Sequence, residues 1–243
     1  MLAPVLLIAL YAVVPPPSTL MLWRWATFQG AQRDWVPLER ISPHLVRAVI
    51  AAEDARFCQH GGVDWDALRE VIETSDEDGP ARGASTLTMQ TAKNLFLWHG
   101  RSYLRKGLEL PLAALLDTMW SKRRVLEVYL NIAEWGEGTF GAQAGARRAF
   151  RKSAAELTPR EAGLMAVALP NPLRRDPARP SRALQARNAW LAARLLREDI
   201  DLSCLGPLGS RRAGHETIML ETILPETISR THRPARANPD GQG

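Results

Sequence analysis

A mainly α-helical domain behind an apolar N-terminal segment is the architecture this sequence predicts, and three observations predict it. From about Ile41 to Glu198, apolar residues recur at helical spacing with almost no alternating strand pattern. Helix-start signals, such as a hydroxyl followed by proline or a capping box, punctuate that stretch. The first 23 residues carry no charged side chain.

The bulk properties bound the answer. A chain of 243 residues suggests one domain with segments added at its ends. Hydrophobic residues at 46% and charged residues at 23% are ordinary for a globular protein. The net charge of +5 favours an anionic partner such as phosphate, a membrane surface or nucleic acid. No nucleic-acid-binding module accompanies that charge, so no nucleic-acid partner is expected. Cys58 and Cys204 stand far apart without CxxC neighbours, which indicates no zinc site, and their spacing alone gives little reason to pair them.

Taken in order, the chain opens with the nearly pure apolar run Met1 to Val14, shorter than the ~20 residues of a spanning helix. Pro15, Pro16 and Pro17 interrupt it, and apolar character resumes at Leu20. A signal peptide needs a basic start and a small-residue cleavage site, and neither is obvious. Residues 1–25 therefore read as a membrane anchor, with Trp23, Arg24 and Trp25 as interfacial residues and a start that can lie inside the anchor. Residues 40–200 form the domain. Ser42-Pro43 opens a helix with Leu45, Val49 and Ala52 on one stripe. Glu73 to Pro80 is an acidic loop ended by Gly and Pro, and a helix covers Ser85 to Trp98. From Leu104 to about Asn131, the residues Leu104, Leu108, Leu112, Leu115 and Met119 share a face, with Pro111 expected to kink or divide the helix. Thr158-Pro159-Arg160-Glu161 is a capping box, and Ser181 starts a last helix. Residues 201–243, rich in Gly, Pro, Thr and Arg, read as a disordered tail.

Three clusters carry chemistry. Glu53 follows Val49 and Ile50 at helical spacing, so a helix sets its carboxylate on the apolar face. Desolvation there raises a carboxylate pKa and suits it to general-base work. The same pattern fits a buried glutamate paired with Arg56 or His60, and His60 reads as a structural hydrogen-bonder. The stretch Gly83 to Asn94 places Ser85 and Thr86 where a helix begins, a position that attracts phosphate. Thr86, Gln90 and Lys93 then share one face; an N-capped helix with a solvated lysine explains them as well. No P-loop is present. Finally, Arg101, Arg105, Lys106 and Glu109 form either a cationic cluster able to hold a diphosphate or plain helical ion pairs.

The order and spacing of these clusters resemble glycosyltransferase family 51, the peptidoglycan glycosyltransferases, and in particular the monofunctional biosynthetic type. The pattern ED-x-x-F-x-x-H-x-G is met by Glu53, Asp54, Phe57, His60 and Gly62. The pattern G-x-S-T-x-x-Q-Q-x-x-K-N is met by Gly83, Ser85, Thr86, Gln90, Lys93 and Asn94, with Met89 in place of the first Gln. RK-x-x-E is met by Arg105, Lys106 and Glu109. A fourth motif includes Glu127, Tyr129, Leu130, Asn131, Gly136 and Gly141; a fifth includes Glu161, Ala162, Pro170 and Pro172.

The resemblance implies a lysozyme-like, mainly α domain with a smaller membrane-proximal lobe. It implies lipid II as acceptor and the growing glycan chain as donor, with Glu53 as base and Glu109 assisting at the donor diphosphate, directly or through a divalent cation (Mg or Mn). Ser85, Thr86, Gln90, Lys93, Asn94, Arg101, Arg105 and Lys106 are the implied substrate contacts. No cofactor is otherwise required. Membrane lipid and other cell-wall synthesis proteins are implied partners, and the inner membrane is the implied location, with the domain on its periplasmic or outer face. Transpeptidation is not expected, since no S-x-x-K module follows. The rival reading is a lytic transglycosylase or muramidase on a similar fold, in which the glutamate acts as acid and the cationic cluster has no task.

Overall fold

The computed structural model describes residues 2–73, 85–98, 100 and 102–208. It is mainly helical, as expected. Ten helices are formed among the described residues, and their starts follow the hydroxyl signals closely. Helix α3 (Pro43–Glu53) has the Ser42 hydroxyl accepting from the His44 amide, and it buries Leu45, Val46, Ala48, Val49, Ile50 and Ala51. Each large aliphatic side chain so buried contributes about 1.5–3 kcal/mol. Helix α9 (Pro159–Ala168) carries the full Thr158/Glu161 capping box and packs on both α3 and α10 (Arg182–Arg197). Gly163 permits that contact, because a Cβ there would overlap Asn188 Oδ1 of α10. A second group consists of α5 (Leu87–Phe96), α6 (Tyr103–Met119) and α7 (Lys122–Ile132), with α5 packed on both of the others. Helices α4 (Trp65–Glu73) and α8 (Ala142–Phe150) complete the domain.

Pro111 neither divides nor ends its helix. Helix α6 runs through it, and the break falls at Trp120 and Ser121, where Trp120 turns extended and Ser121 caps α7. The proline leaves unpaired only the carbonyl of Gly107, a residue whose Cβ position faces open space, so that turn has room to open. The stripe Leu104, Leu108 and Met119 lies on the exposed side of α6, while its buried side presents Glu109, Ala113 and Leu116.

A small sheet had left no trace in the periodicity. Strands β1 (Gln32–Arg33), β2 (Glu134–Gly136) and β3 (Thr139–Phe140) are ordered β1-β3-β2, with β1 parallel and β2 antiparallel to β3. Two or three residues are too few to show an alternation.

Both chain ends pack on the domain. No helix among the described residues is long and apolar enough to cross a membrane. Helix α1 (Leu2–Tyr11) spans about 15 Å at the usual rise, half of a bilayer's hydrocarbon core. It is held against the domain: Ile8 is buried, and its carbonyl accepts from the Trp120 indole at 2.8 Å. The Arg124 guanidinium donates to the carbonyls of Tyr11 and Val14, and the Thr19 hydroxyl, at the start of α2 (Thr19–Ala26), donates to that of Leu97. At the other end, the expected tail is packed through residue 208. Leu205 is buried, and Cys204 is joined to Cys58 by a disulfide. Their spacing gave little reason to expect that pairing, and it is folding that brings together residues 146 apart in sequence. Residues 209–243 lie outside the described residues.

Candidate active site

The site is assembled from the end of α3, the inner face of α5 and the first turns of α6. Asp54 caps α3 and ties it to its neighbours. One carboxylate oxygen bonds His60 Nε2 at 2.9 Å, and the other accepts from the Leu87 amide at 2.8 Å. His60 is thus the structural partner expected. Gly62, at φ +77°, lies so close to α6 that a Cβ would meet the Ala113 carbonyl at 2.7 Å. The Thr86 hydroxyl donates to the Gly62 carbonyl at 2.6 Å and accepts from the Met89 amide at 3.1 Å.

These bonds bear on two sequence expectations. Thr86 is buried with its hydroxyl already donating to one backbone group and accepting from another. The opening amides of α5 at Leu87 and Met89 are taken by Asp54 and Thr86, so the helix start is not a free phosphate cradle. Met89 is itself buried in the core, so its replacement of a glutamine removes no contact on the cleft side.

Glu53 is the last residue of α3, and its partner is neither Arg56 nor His60. Gln90 Nε2 of α5 donates to Glu53 Oε2 at 2.8 Å, and the buried Tyr129 hydroxyl of α7 donates to Gln90 Oε1 at 3.1 Å. Arg56 instead pairs with Asp66. Burial raises the Glu53 pKa above the ordinary carboxylate range; the Gln90 bond and the charges of Lys93 and Arg175 oppose that rise.

Glu109, almost fully buried on α6, has the opposite surroundings. Arg105 Nη1 donates to one of its oxygens and Lys106 Nζ to the other, the latter at 2.9 Å. Lys106 also donates to the Ser85 hydroxyl at 2.6 Å, which draws Ser85 into the cluster. Lys93 of α5 feels the charge of both carboxylates. Burial lowers its pKa, Glu109 and Glu53 pull it up, and Arg105 and Lys106 push it down. An ammonium that feels both acids and both cations marks them as one electrostatic site.

A cleft of about 210 Å³ opens beside this ammonium. Gln90, Lys93, Asn94 and Tyr129 line it together with Ser18, Glu134, Pro170 and Pro172. Of the residues singled out from sequence, the fold gathers Glu53, Glu109, Ser85, Gln90, Lys93, Asn94, Arg105 and Lys106 around this region. Arg101 lies outside the described residues. A larger apolar cavity of about 780 Å³ between α3, α9 and α10 contains none of them.

Sequence reading had no signal for several contributors. Arg175 acts on Glu53 from the loop after α9, and Ser18 comes from the supposed anchor. Glu134 also faces the cleft; burial raises its pKa, and one of its oxygens accepts from the Gly138 amide at 2.9 Å. The fourth motif is largely structural: Asn131 donates to the Val36 carbonyl and accepts from the Val36 amide, while Glu127 accepts from the Leu38 amide.

Glu109 is poorly suited to a divalent cation. Both of its oxygens are already engaged by fixed positive charges, and no group of three or more His, Cys, Asp or Glu residues suited to a metal occurs among the described residues.

The chain matches the family model described as Transglycosylase over residues 22–196. A protein of Brucella suis biovar 1 named biosynthetic peptidoglycan transglycosylase is 52% identical over 204 residues, covering 83% of this chain and 91% of that relative. A protein of Agrobacterium fabrum with the same name is 54% identical over 187 residues, or 76% of this chain and 83% of the relative. A third with that name, from Rhodospirillum centenum, is 52% identical over 207 residues, or 82% and 90%.

Proposed function

The chain belongs to the transglycosylase family, and from that premise we propose that it polymerises lipid II into β-1,4-linked glycan strands and releases undecaprenyl diphosphate. The observation that carries this reading is Lys93, a desolvated ammonium in the field of both a base-like glutamate and a glutamate clamped by Arg105 and Lys106. A lytic enzyme expels a neutral sugar and has no use for such a cationic array; expulsion of a diphosphate needs one.

Glu53 acts as the general base. Its Oε2 is held by Gln90, and among the described residues its Oε1 has no partner, so that oxygen accepts the proton of the acceptor's 4-hydroxyl. The deprotonating oxygen attacks the anomeric carbon of the donor, and the bond from that carbon to the diphosphate oxygen breaks. The electron pair leaves with the diphosphate, and the α-linkage inverts to β in one displacement. Lys93, Arg105 and Lys106 stabilise the charge growing on the leaving group, the type of interaction that usually supplies the largest part of such catalysis. Glu109 fixes the directions of Arg105 and Lys106 and keeps them from repelling Lys93. No step passes through a metal.

Membrane attachment follows from the exposed apolar surface. Leu6, Leu10 and Val13 near α1, Trp23 and Trp25 on α2, and Leu104 on α6 all face outward. These residues form a membrane-proximal lobe that holds the enzyme on the outer face of the cytoplasmic membrane, where both prenyl-linked substrates are confined. The Cys58–Cys204 disulfide suits that oxidising side.

The test is incubation of the full chain with labelled lipid II, with and without a divalent cation, and sizing of the products. Polymer formation, with purified sacculi left uncut, is the expected result. Soluble muropeptides with no polymer would overturn the assignment.

A further inference from the structure

We infer that Tyr129 is a positioning residue for Glu53: its hydroxyl locks the Gln90 amide so that the N–H faces the base in both of its protonation states. The inference rests on the role proposed for Glu53 and extends it.

The geometry is a three-residue chain from α7 through α5 to α3. Tyr129 Oη donates to Gln90 Oε1 at 3.1 Å, and Gln90 Nε2 donates to Glu53 Oε2 at 2.8 Å. An ionised Glu53 accepts only, and it would orient the amide correctly without help. The protonated acid differs. It carries an O–H, and a free amide could rotate its oxygen toward Glu53 and accept that proton, which would stabilise the neutral form. Tyr129 forecloses this rotation. Its phenol is buried, and burial together with the Glu53 charge keeps its pKa well above the ordinary value, so it remains a donor throughout the working range. The amide oxygen is therefore occupied, and the N–H it leaves facing Glu53 bonds more strongly to the ionised base than to the neutral acid.

The result is a desolvated carboxylate that still ionises. The other groups acting on it are Lys93 and Arg175, which favour the charge, and Asp54, which opposes it. Glu109 acts on Lys93 in turn. None of these charges depends on the phenol, so removing it changes the hydrogen-bond term alone.

Tyr129→Phe tests this. The acid limb of kcat/KM for lipid II polymerisation should rise by about one pH unit, the equivalent of one ordinary hydrogen bond. Below that limb kcat/KM falls about tenfold, whereas the alkaline side and KM change little. The carboxyl carbon of Glu53, followed by NMR without substrate, should titrate higher by the same amount. Gln90→Leu removes the amide outright and should shift both readouts the same way. In that background, adding Tyr129→Phe should shift neither further, and this arm keeps the inference testable if Tyr129→Phe alone unfolds. A uniform loss across pH, an unmoved NMR midpoint, or a further shift in the double variant would overturn the role of Tyr129. Absence of polymer from the parent enzyme would instead count against the function, since the NMR arm needs no substrate.

Discussion

The end of α3 and the start of α6 use one side chain in opposite ways. Glu53 is half-buried with a single neutral donor on one oxygen, and the loss of water around it lifts its pKa. Glu109 is buried with a guanidinium on one oxygen and an ammonium on the other. A desolvated, under-partnered carboxylate gains proton affinity and suits a base. A doubly paired one is an architectural anion that aims its cations. Composition does not separate these roles; what decides them is which face of the neighbouring helix each glutamate meets.

Breaking the first half of that contrast should have the largest effect. Glu53→Gln keeps the shape and removes the base, so kcat for lipid II polymerisation should fall about 10²–10⁴-fold with KM little changed. Near-normal turnover would end the contrast. Next comes the cation in the field of the two acids: Lys93→Met should lower kcat about 10²–10³-fold, the usual loss when one stabilising donor is removed from a transition state. Steady-state kinetics with labelled substrate measures both.

Stability should respond with opposite signs. Glu109→Gln strands Arg105 and Lys106 and should destabilise the fold by about 3 kcal/mol in urea titrations. Glu53→Gln should stabilise it. Burial raises the folded-state pKa of Glu53 above the unfolded value near ~4.3, so ionisation penalises the folded protein. That penalty is absent below the unfolded value, grows as pH rises from there toward the folded one, and is complete above it. The melting temperature of Glu53→Gln should therefore exceed the parent's at pH 8 and match it at pH 3. Equal signs for the two substitutions would show that the two environments do not differ as described.

The subtlest readout is the pH profile. Its acid limb should lie above the ordinary carboxylate range because Glu53 must be ionised. Its alkaline limb should lie below the ordinary lysine range, because burial lowers the Lys93 pKa and the ammonium must stay charged.

Much of the fold was legible because its signals are local. Ser42, Thr158 and Ser181 each cap the helix their spacing announces, and Glu53 falls on the apolar side that its offset from Val49 and Ile50 requires. Local signals also leave choices open. Pro111 reads as a kink or a division, and α6 continues through it undivided, since one lost bond is tolerated in a packed 17-residue helix. Thr86 reads as a ligand hydroxyl, but the Gly62 carbonyl claims it.

By itself, then, the sequence determined the helix starts, the apolar faces and the identity of the two glutamates and their lysine and arginine neighbours, all of which depend on residues within a turn or two of each other. Only the tertiary structure decided that Gln90 and Tyr129 serve Glu53, that Cys58 meets Cys204, and that α1 lies on the domain. Most of those pairings join residues dozens of positions apart, and hydrogen bonds and desolvation act over ångströms in space whatever the distance along the chain.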